Sequence, residues 1–109
     1  MFNIEISDTV QFKVKGQLNT ADGTSKPFDF DLKCKRLDTD AFKVALDDGD
    51  TTLTSFMTGV AIGWSGVRNG AGEEVAFSEE AFRTICRLPG LASLMFRIYG
   101  IEVGAKEKN

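Results

Sequence analysis

The sequence predicts an α+β fold: an N-terminal antiparallel β-hairpin or small sheet followed by three to four helices packed on one face. Three observations carry this expectation. Apolar residues recur with period two through the first third of the chain, they switch to i, i+3, i+4 spacing after Asp38, and helix caps and glycine stops recur through the second half. Strands first and helices afterwards is the order of a layered domain in which the helices cover one side of the sheet.

The strands come first. Phe2, Ile4 and Ile6 alternate with polar residues, and so do Val10, Phe12, Val14 and Leu18. In "FDFDLKCKRLD" the apolar Phe28, Phe30, Leu32 and Cys34 share one parity, and Asp29, Asp31, Lys33 and Lys35 share the other. Such alternation means one covered face and one wet face. Between the two runs, Asp22-Gly23 supplies a reversal and Pro27 closes the loop. The second half of the chain should then supply the cover.

At Asp38 the period changes. Asp38 or Thr39 is an N-cap, Phe42, Ala45 and Leu46 form a short stripe, and Gly49 is a stop. Asp50 reads as the next cap, opening a helix whose stripe runs Leu53, Phe56, Met57, Val60, Ala61 and Trp64. The glycines and Asn69-Gly70 of "GWSGVRNGAGEEVAF" end it in a loop or short hairpin between Val67 and Val75. Ser78 caps a third helix, with Glu79 and Glu80 near its positive end, Phe77 stapled onto Phe82, and Phe82, Ile85 and Cys86 on its core side. Pro89-Gly90 interrupts it. A last helix follows, with Leu91, Leu94, Met95, Ile98 and Tyr99 in a stripe and Gly100 as C-cap. The expected organisation is one domain over 1–109: a β-sheet part at 1–37, a helical part at 38–100 and a polar tail at 101–109.

Composition narrows the function. About one hundred residues is the usual size of one domain, and 42% hydrophobic residues supply a core without staples. A net charge of -3 argues against a surface built for phosphates, so nucleic acid is not an expected partner. Cys34 and Cys86 sit at core-facing positions and read as buried thiols, with a disulfide between them as the alternative. "MFNIEISD" has neither a basic start nor a long apolar run, and no window reaches the roughly 18 apolar residues of a membrane span. A cytosolic protein without a membrane partner is expected.

The chain has no histidine. This removes Ser-His and Cys-His nucleophile pairs, histidine acid-base steps and most catalytic zinc sites. Counting a calcium loop from Asp48 puts Leu53 where glycine is required and Gly59 where glutamate is required. "GAGEEV" lacks the P-loop lysine and the third glycine of a dinucleotide loop, and it reads as a turn. No cofactor, metal or enzymatic activity is expected; a small enzyme using carboxylates alone is disfavoured because no two acids are placed in an evident pocket. The residues alone support a non-catalytic binding or assembly module. Leu88, Leu91, Ala92, Leu94, Met95, Phe96, Ile98 and Tyr99 make the last helix apolar on more than one side. Phe12, Phe28, Phe30, Leu91, Leu94 and Met95 are therefore the candidate partner-binding residues. The alternative is that both sides are covered within the fold or in a homo-oligomer.

A hairpin strand ending in "KRLD", an acidic helix start, a helix closing on "GWSGV", a glycine turn, then "FSEE", "LPG" and an aromatic at Tyr99 resemble tail assembly chaperones of long-tailed bacteriophages and prophages. The resemblance runs over nearly the whole chain and is carried by Phe30, Arg36, Leu37, Trp64, Gly66, Val67, Phe77, Ser78, Pro89, Gly90 and Tyr99. It implies a protein that binds the tape measure protein, shields its apolar segments, helps recruit tail tube subunits and then leaves, without ATP. It also implies work in several copies in the cytoplasm of the bacterial host and absence from the mature virion. In that family a longer form is commonly made by frameshifting. The N-terminal sheet is more aromatic than the family pattern. That departure leaves room for a runner-up, a structural component of the tail or head-tail junction using the hairpin for β-augmentation.

Overall fold

The computed structural model of the chain describes residues 7–49 and 52–105. β1 (Thr9–Asn19) and β2 (Ser25–Lys35) form the long antiparallel hairpin that the alternation predicts. Val10 stands opposite Cys34, Phe12 opposite Leu32 and Val14 opposite Phe30. Because side chains alternate along a strand, this register puts all six on one face, where all are buried. Gln11, Lys13, Lys15, Asp29 and Lys33 point to water on the other. The Lys13–Asp31 pair there, at 3.8 Å, is an exposed ion pair contributing at most about 1 kcal/mol.

The reversal is tight. The Asp22 carboxylate accepts hydrogen bonds from the Thr20 and Thr24 hydroxyls and the Thr24 N–H, which hold its pKa down to about 2. Gly23 takes a positive φ of 84°. Pro27 was expected to close the loop but lies inside β2, opposite Gln17, at an end of the strand beyond the reach of β3. The predicted strand at Phe2, Ile4 and Ile6 falls outside the described residues.

Asp38 caps α1 (Thr39–Asp47), its carboxylate accepting from the Ala41 N–H at 2.7 Å. The helix closes on Asp48 as its C-cap, immediately before Gly49, and buries no residue fully. The cap expected at Asp50 lies outside the described residues; Thr52 caps α2 (Leu53–Val60), accepting from the Ser55 N–H.

Here the largest correction falls. The expected helix to Trp64 stops at Val60, and β3 (Ala61–Ser65) pairs antiparallel with β2 to complete a sheet of order β1-β2-β3. Segment 38–100 is therefore not wholly helical. The register places Gly63 opposite Lys33 and Ala61 opposite Cys34, so Ile62 is an extra residue on β3. A bulge of this kind lets two residues three apart face the same side. Ala61 and Trp64 both reach the core side, which is how a strand can imitate a helical stripe.

The glycine turn is a short hairpin: Arg68 bridges Glu74, the Val75 N–H donates to the Val67 carbonyl, and Asn69 Oδ1 accepts from the Ala71 and Glu73 N–H groups. Ser78 caps α3 (Glu79–Ile85) as expected, accepting from the Ala81 N–H at 3.0 Å. Gly90 at φ 88° opens α4 (Leu91–Glu102). Gly100 does not end that helix: the turn continues to Val103, whose N–H donates to the Tyr99 carbonyl. The expected tail at 101–109 thus begins as helix.

The helices lie on the apolar face, α4 against β1 and α2, and α3 against α2. α4 buries Leu91, Ala92, Met95 and Tyr99. Its second apolar side is covered inside the fold, because Phe96 meets Phe56 edge-on at 5.3 Å and Phe42 at 6.2 Å. Phe42 also stacks on Tyr99 at 5.9 Å, and this ring cluster is what holds α1. Trp64, Phe77 and Phe82 form a second cluster, with the Trp64–Phe77 pair edge-on at 5.2 Å. Edge-on and offset contacts are the favoured geometries of aromatic pairs.

Cys34 and Cys86 are free thiols. Burial pushes Cys34 up to about 12 and raises Cys86 as well. Since the thiolate is the reactive form, alkylation of the native protein near pH 8, followed by peptide mass mapping, should label the half-buried Cys86 first. Cys34 should react only as fast as the chain unfolds. Equal labelling of the two would contradict the burial of Cys34.

Candidate functional site

An apolar groove runs between the tip of the hairpin and the junction of α3 with α4. One stretch, of about 390 Å³, is lined by Leu18, Phe28, Phe30, Val67, Arg68, Thr84, Ile85, Leu88 and Leu91. The adjoining stretch, of about 250 Å³, shares Leu18, Phe28, Leu88 and Leu91 and adds Gly16, Gln17, Pro89, Gly90, Leu94 and Arg97.

Each wall follows from local sequence. Gly16 has no side chain, and the Phe28 ring lies in that space: a Cβ on Gly16 would stand 2.5 Å from Phe28 Cζ and 3.2 Å from Leu94 Cδ2. Leu18 keeps the inward parity of β1 but projects past the helices and is 40% exposed. Pro89-Gly90 breaks the path from α3 to α4, because proline cannot continue a helix and Gly90 adopts a left-handed φ. The break leaves Ile85, Leu88 and Leu94 half-buried along the groove. A wall of partly exposed aliphatic and aromatic groups with a few polar groups at its rim has the chemistry of a surface suited to apolar segments.

Of the six candidate binding residues, Phe12, Phe30, Leu91 and Met95 are core, at 0–7% exposure. Phe28 and Leu94 are half-buried and line the groove, and the buried Phe30 and Leu91 contribute to its floor. The four core residues serve the fold because the register and the α4 stripe turn them inward. Leu18, Ile85 and Leu88 were not among the candidates. The signal for Leu18 was an apolar residue on the correct parity next to the turn; Leu88 stands directly before Pro89.

The residues on which the resemblance rests fall into two structural groups and a break, with Phe30 buried in β2 beside them. Trp64, Gly66, Val67, Phe77 and Ser78 build the second aromatic cluster and its turn: Trp64 Nε1–H donates to the Val75 carbonyl at 2.8 Å, and Gly66 at φ 85° lies against the Phe30 backbone. Arg36, Leu37 and Tyr99 tie the end of β2 to α4. The Tyr99 hydroxyl donates to the Lys35 carbonyl at 2.7 Å and accepts from the Leu37 N–H at 3.2 Å. Arg36 Nη1 donates to the Val103 carbonyl at 2.7 Å, while its Nε is buried without an acceptor. Pro89 and Gly90 are the break that shapes the groove.

Other clefts are of mixed character. The one between α1 and the end of α4 carries Asp38, Lys43 and Asp47 around Leu37, Phe42 and Leu46. Among the described residues no cluster of three or more His, Cys, Asp or Glu could hold a metal ion, and no helix is long and apolar enough to cross a membrane.

The groove gives a prediction of its own. Gly16→Ala should change stability by less than about 1 kcal/mol, because restriction of the unfolded chain offsets the displacement of one ring end. The Phe28 ring must then swing into the groove. Thermal melts and binding of an apolar fluorescent probe separate the two effects: near-wild-type melting with weakened probe binding is expected, and unchanged probe binding would contradict this account of the floor.

Compared with family models, with curated proteins and with solved structures, the chain matches none.

Proposed function

We propose that this protein is a tail assembly chaperone of a long-tailed bacteriophage or prophage, holding apolar segments of the tape measure protein in solution until tail tube subunits are recruited. The observation that carries the reading is the open groove at Leu18, Phe28, Leu88 and Leu94, an apolar surface outside an already complete core. Such a surface has a use in a protein that grips apolar chain transiently, and it requires no ATP, cofactor or catalytic group. Several copies arrayed along one long client would gain avidity from individually weak sites. In this reading the protein works in the bacterial cytoplasm, as a homo-oligomer or an array on its client, binds no nucleic acid, and is left behind by the mature virion.

The test is a pull-down of the tagged protein from cells producing particles, with the same protein probed in purified virions. Recovery of a very long helical client together with tube protein, and no copies in virions, supports the reading. Copies in the virion at fixed stoichiometry would replace it with the second reading, a tail or head-tail structural subunit. That alternative is favoured by one observation: among the described residues β1 is an edge strand over Thr9–Asn19, open to β-augmentation.

A further inference from the structure

We propose that the groove selects client segments that carry carboxylates beside their apolar residues. The inference rests on the holding function above and specifies which segments are held.

The chain has 16 acidic residues and 13 basic ones, yet among the described residues no carboxylate lines the groove. Its charged lining groups are Arg97 at the Gly16–Leu94 end and Arg68 at the Val67–Ile85 end. Two further cations flank it: Arg87 is exposed immediately before Leu88, and Lys26 stands opposite Leu18 in the hairpin register. Asp38 and Asp47 accompany Lys43 beside α1, and Asp31 accompanies Lys33 on the wet face of the sheet; the cleft beside Trp64, which adjoins the groove through Val67, Arg68, Thr84 and Ile85, brings Glu80 to the far side of Arg68 and leaves Arg97 as the unopposed lining charge. An apolar floor whose own lining charges are both cationic, in a chain of the opposite net sign, is complementary to an acidic amphipathic segment. Rim charges of this kind steer encounter and discriminate among partners more than they add affinity.

A segment with apolar residues along one face would seat them against Leu18, Phe28, Leu88 and Leu94, and carboxylates at its two ends would meet Arg68 and Arg97. A segment of equal hydrophobicity with lysines at those ends would bring like charges together. Two exposed charge pairs of ordinary strength give roughly a 3- to 10-fold preference for the acidic segment over a neutral one at low salt. The preference should shrink as salt shortens the range of the field.

Three labelled peptides test this. They share one leucine-rich helical face and differ only in flanks of glutamate, glutamine or lysine; fluorescence anisotropy gives Kd for each at low and at high salt. The expected order is glutamate tightest and lysine weakest, converging at high salt. In the exposed double variant Arg68→Glu, Arg97→Glu the order should reverse, and in the uncharged Leu18→Gln all three should weaken together. Equal Kd values for the three peptides, or an unchanged order in the arginine variant, overturn the proposal while leaving the holding function standing. Self-association in sedimentation velocity that Leu18→Gln abolishes would assign the groove to a second copy and also overturn it. Failure of the holding function itself reads out separately, as loss of the long client from the pull-down.

Discussion

Replacing Tyr99 by alanine should remove about 3–5 kcal/mol of stability, the cost of emptying a fully buried aromatic site. That is a large share of the roughly 5–15 kcal/mol that holds a domain together. Tyr99 is 0% exposed, stacks on Phe42 at 5.9 Å and meets Phe56 at 5.8 Å, so its loss also loosens α1, whose docking depends on the same rings. The hydroxyl can be weighed separately. Tyr99→Phe keeps the ring but leaves the Lys35 carbonyl and the Leu37 N–H without their partner, and should cost roughly 1–3 kcal/mol. Chemical denaturation of the two variants separates the terms, and a Tyr99→Phe protein as stable as wild type would show that the hydroxyl contributes nothing.

The same residue gives a pH dependence with a definite sign. Burial holds the Tyr99 phenol above its ordinary 10. A folded-state pKa above the unfolded one means that the contribution is complete below the unfolded value and is lost as pH rises through the folded one. Wild type should therefore lose stability above pH 10 more steeply than Tyr99→Phe. Parallel curves for the two proteins would contradict the shift.

Phe82→Ala should be comparably severe, again about 3–5 kcal/mol. Phe82 is the buried residue of α3, a helix of seven residues and too short to persist alone. Its ring contacts Trp64 at 6.2 Å and Phe77 at 6.1 Å. The effect has a local reporter, because Trp64 is the only tryptophan. Its emission should shift to the red in folded Phe82→Ala protein, and Phe82→Leu, which keeps most of the volume, should shift less. A destabilised variant with unchanged Trp64 emission would mean that α3 stays docked without its anchor.

How much of this was legible in the sequence depends on whether the governing contact was local. The hairpin could be read because alternation at Val10, Phe12 and Val14 and at Phe30, Leu32 and Cys34 reports burial directly. The Ser78 cap with its Phe77–Phe82 staple could be read because all its parts lie within six residues of sequence. β3 was hidden by its own bulge: with Ile62 unpaired, Ala61 and Trp64 acquire the spacing of a helix face. The extension of α4 past Gly100 was hidden because one of its anchors, the Val103 carbonyl held by Arg36, bridges 67 residues of sequence. The site was half legible. Phe28 and Leu94 carry the right chemistry on recognisable faces, but whether a leucine ends in the core or in an open groove depends on how far the helices reach along the hairpin. That decided the fates of Phe30 and Leu18, which share a parity and differ in cover.

The ties from Tyr99 and Arg36 to the end of β2 also bear on how the molecule comes into being. They join segments more than 60 residues apart, since the Leu37–Tyr99, Lys35–Tyr99 and Arg36–Val103 bonds span 62, 64 and 67 positions. Loop closure on that scale is entropically slow compared with a hairpin turn. A chain emerging from the ribosome presents the whole apolar face of β1 and β2 before α4 exists to cover it. Until that last helix is made, the nascent protein is itself an exposed client, with the same need for shelter that it is proposed to meet in others.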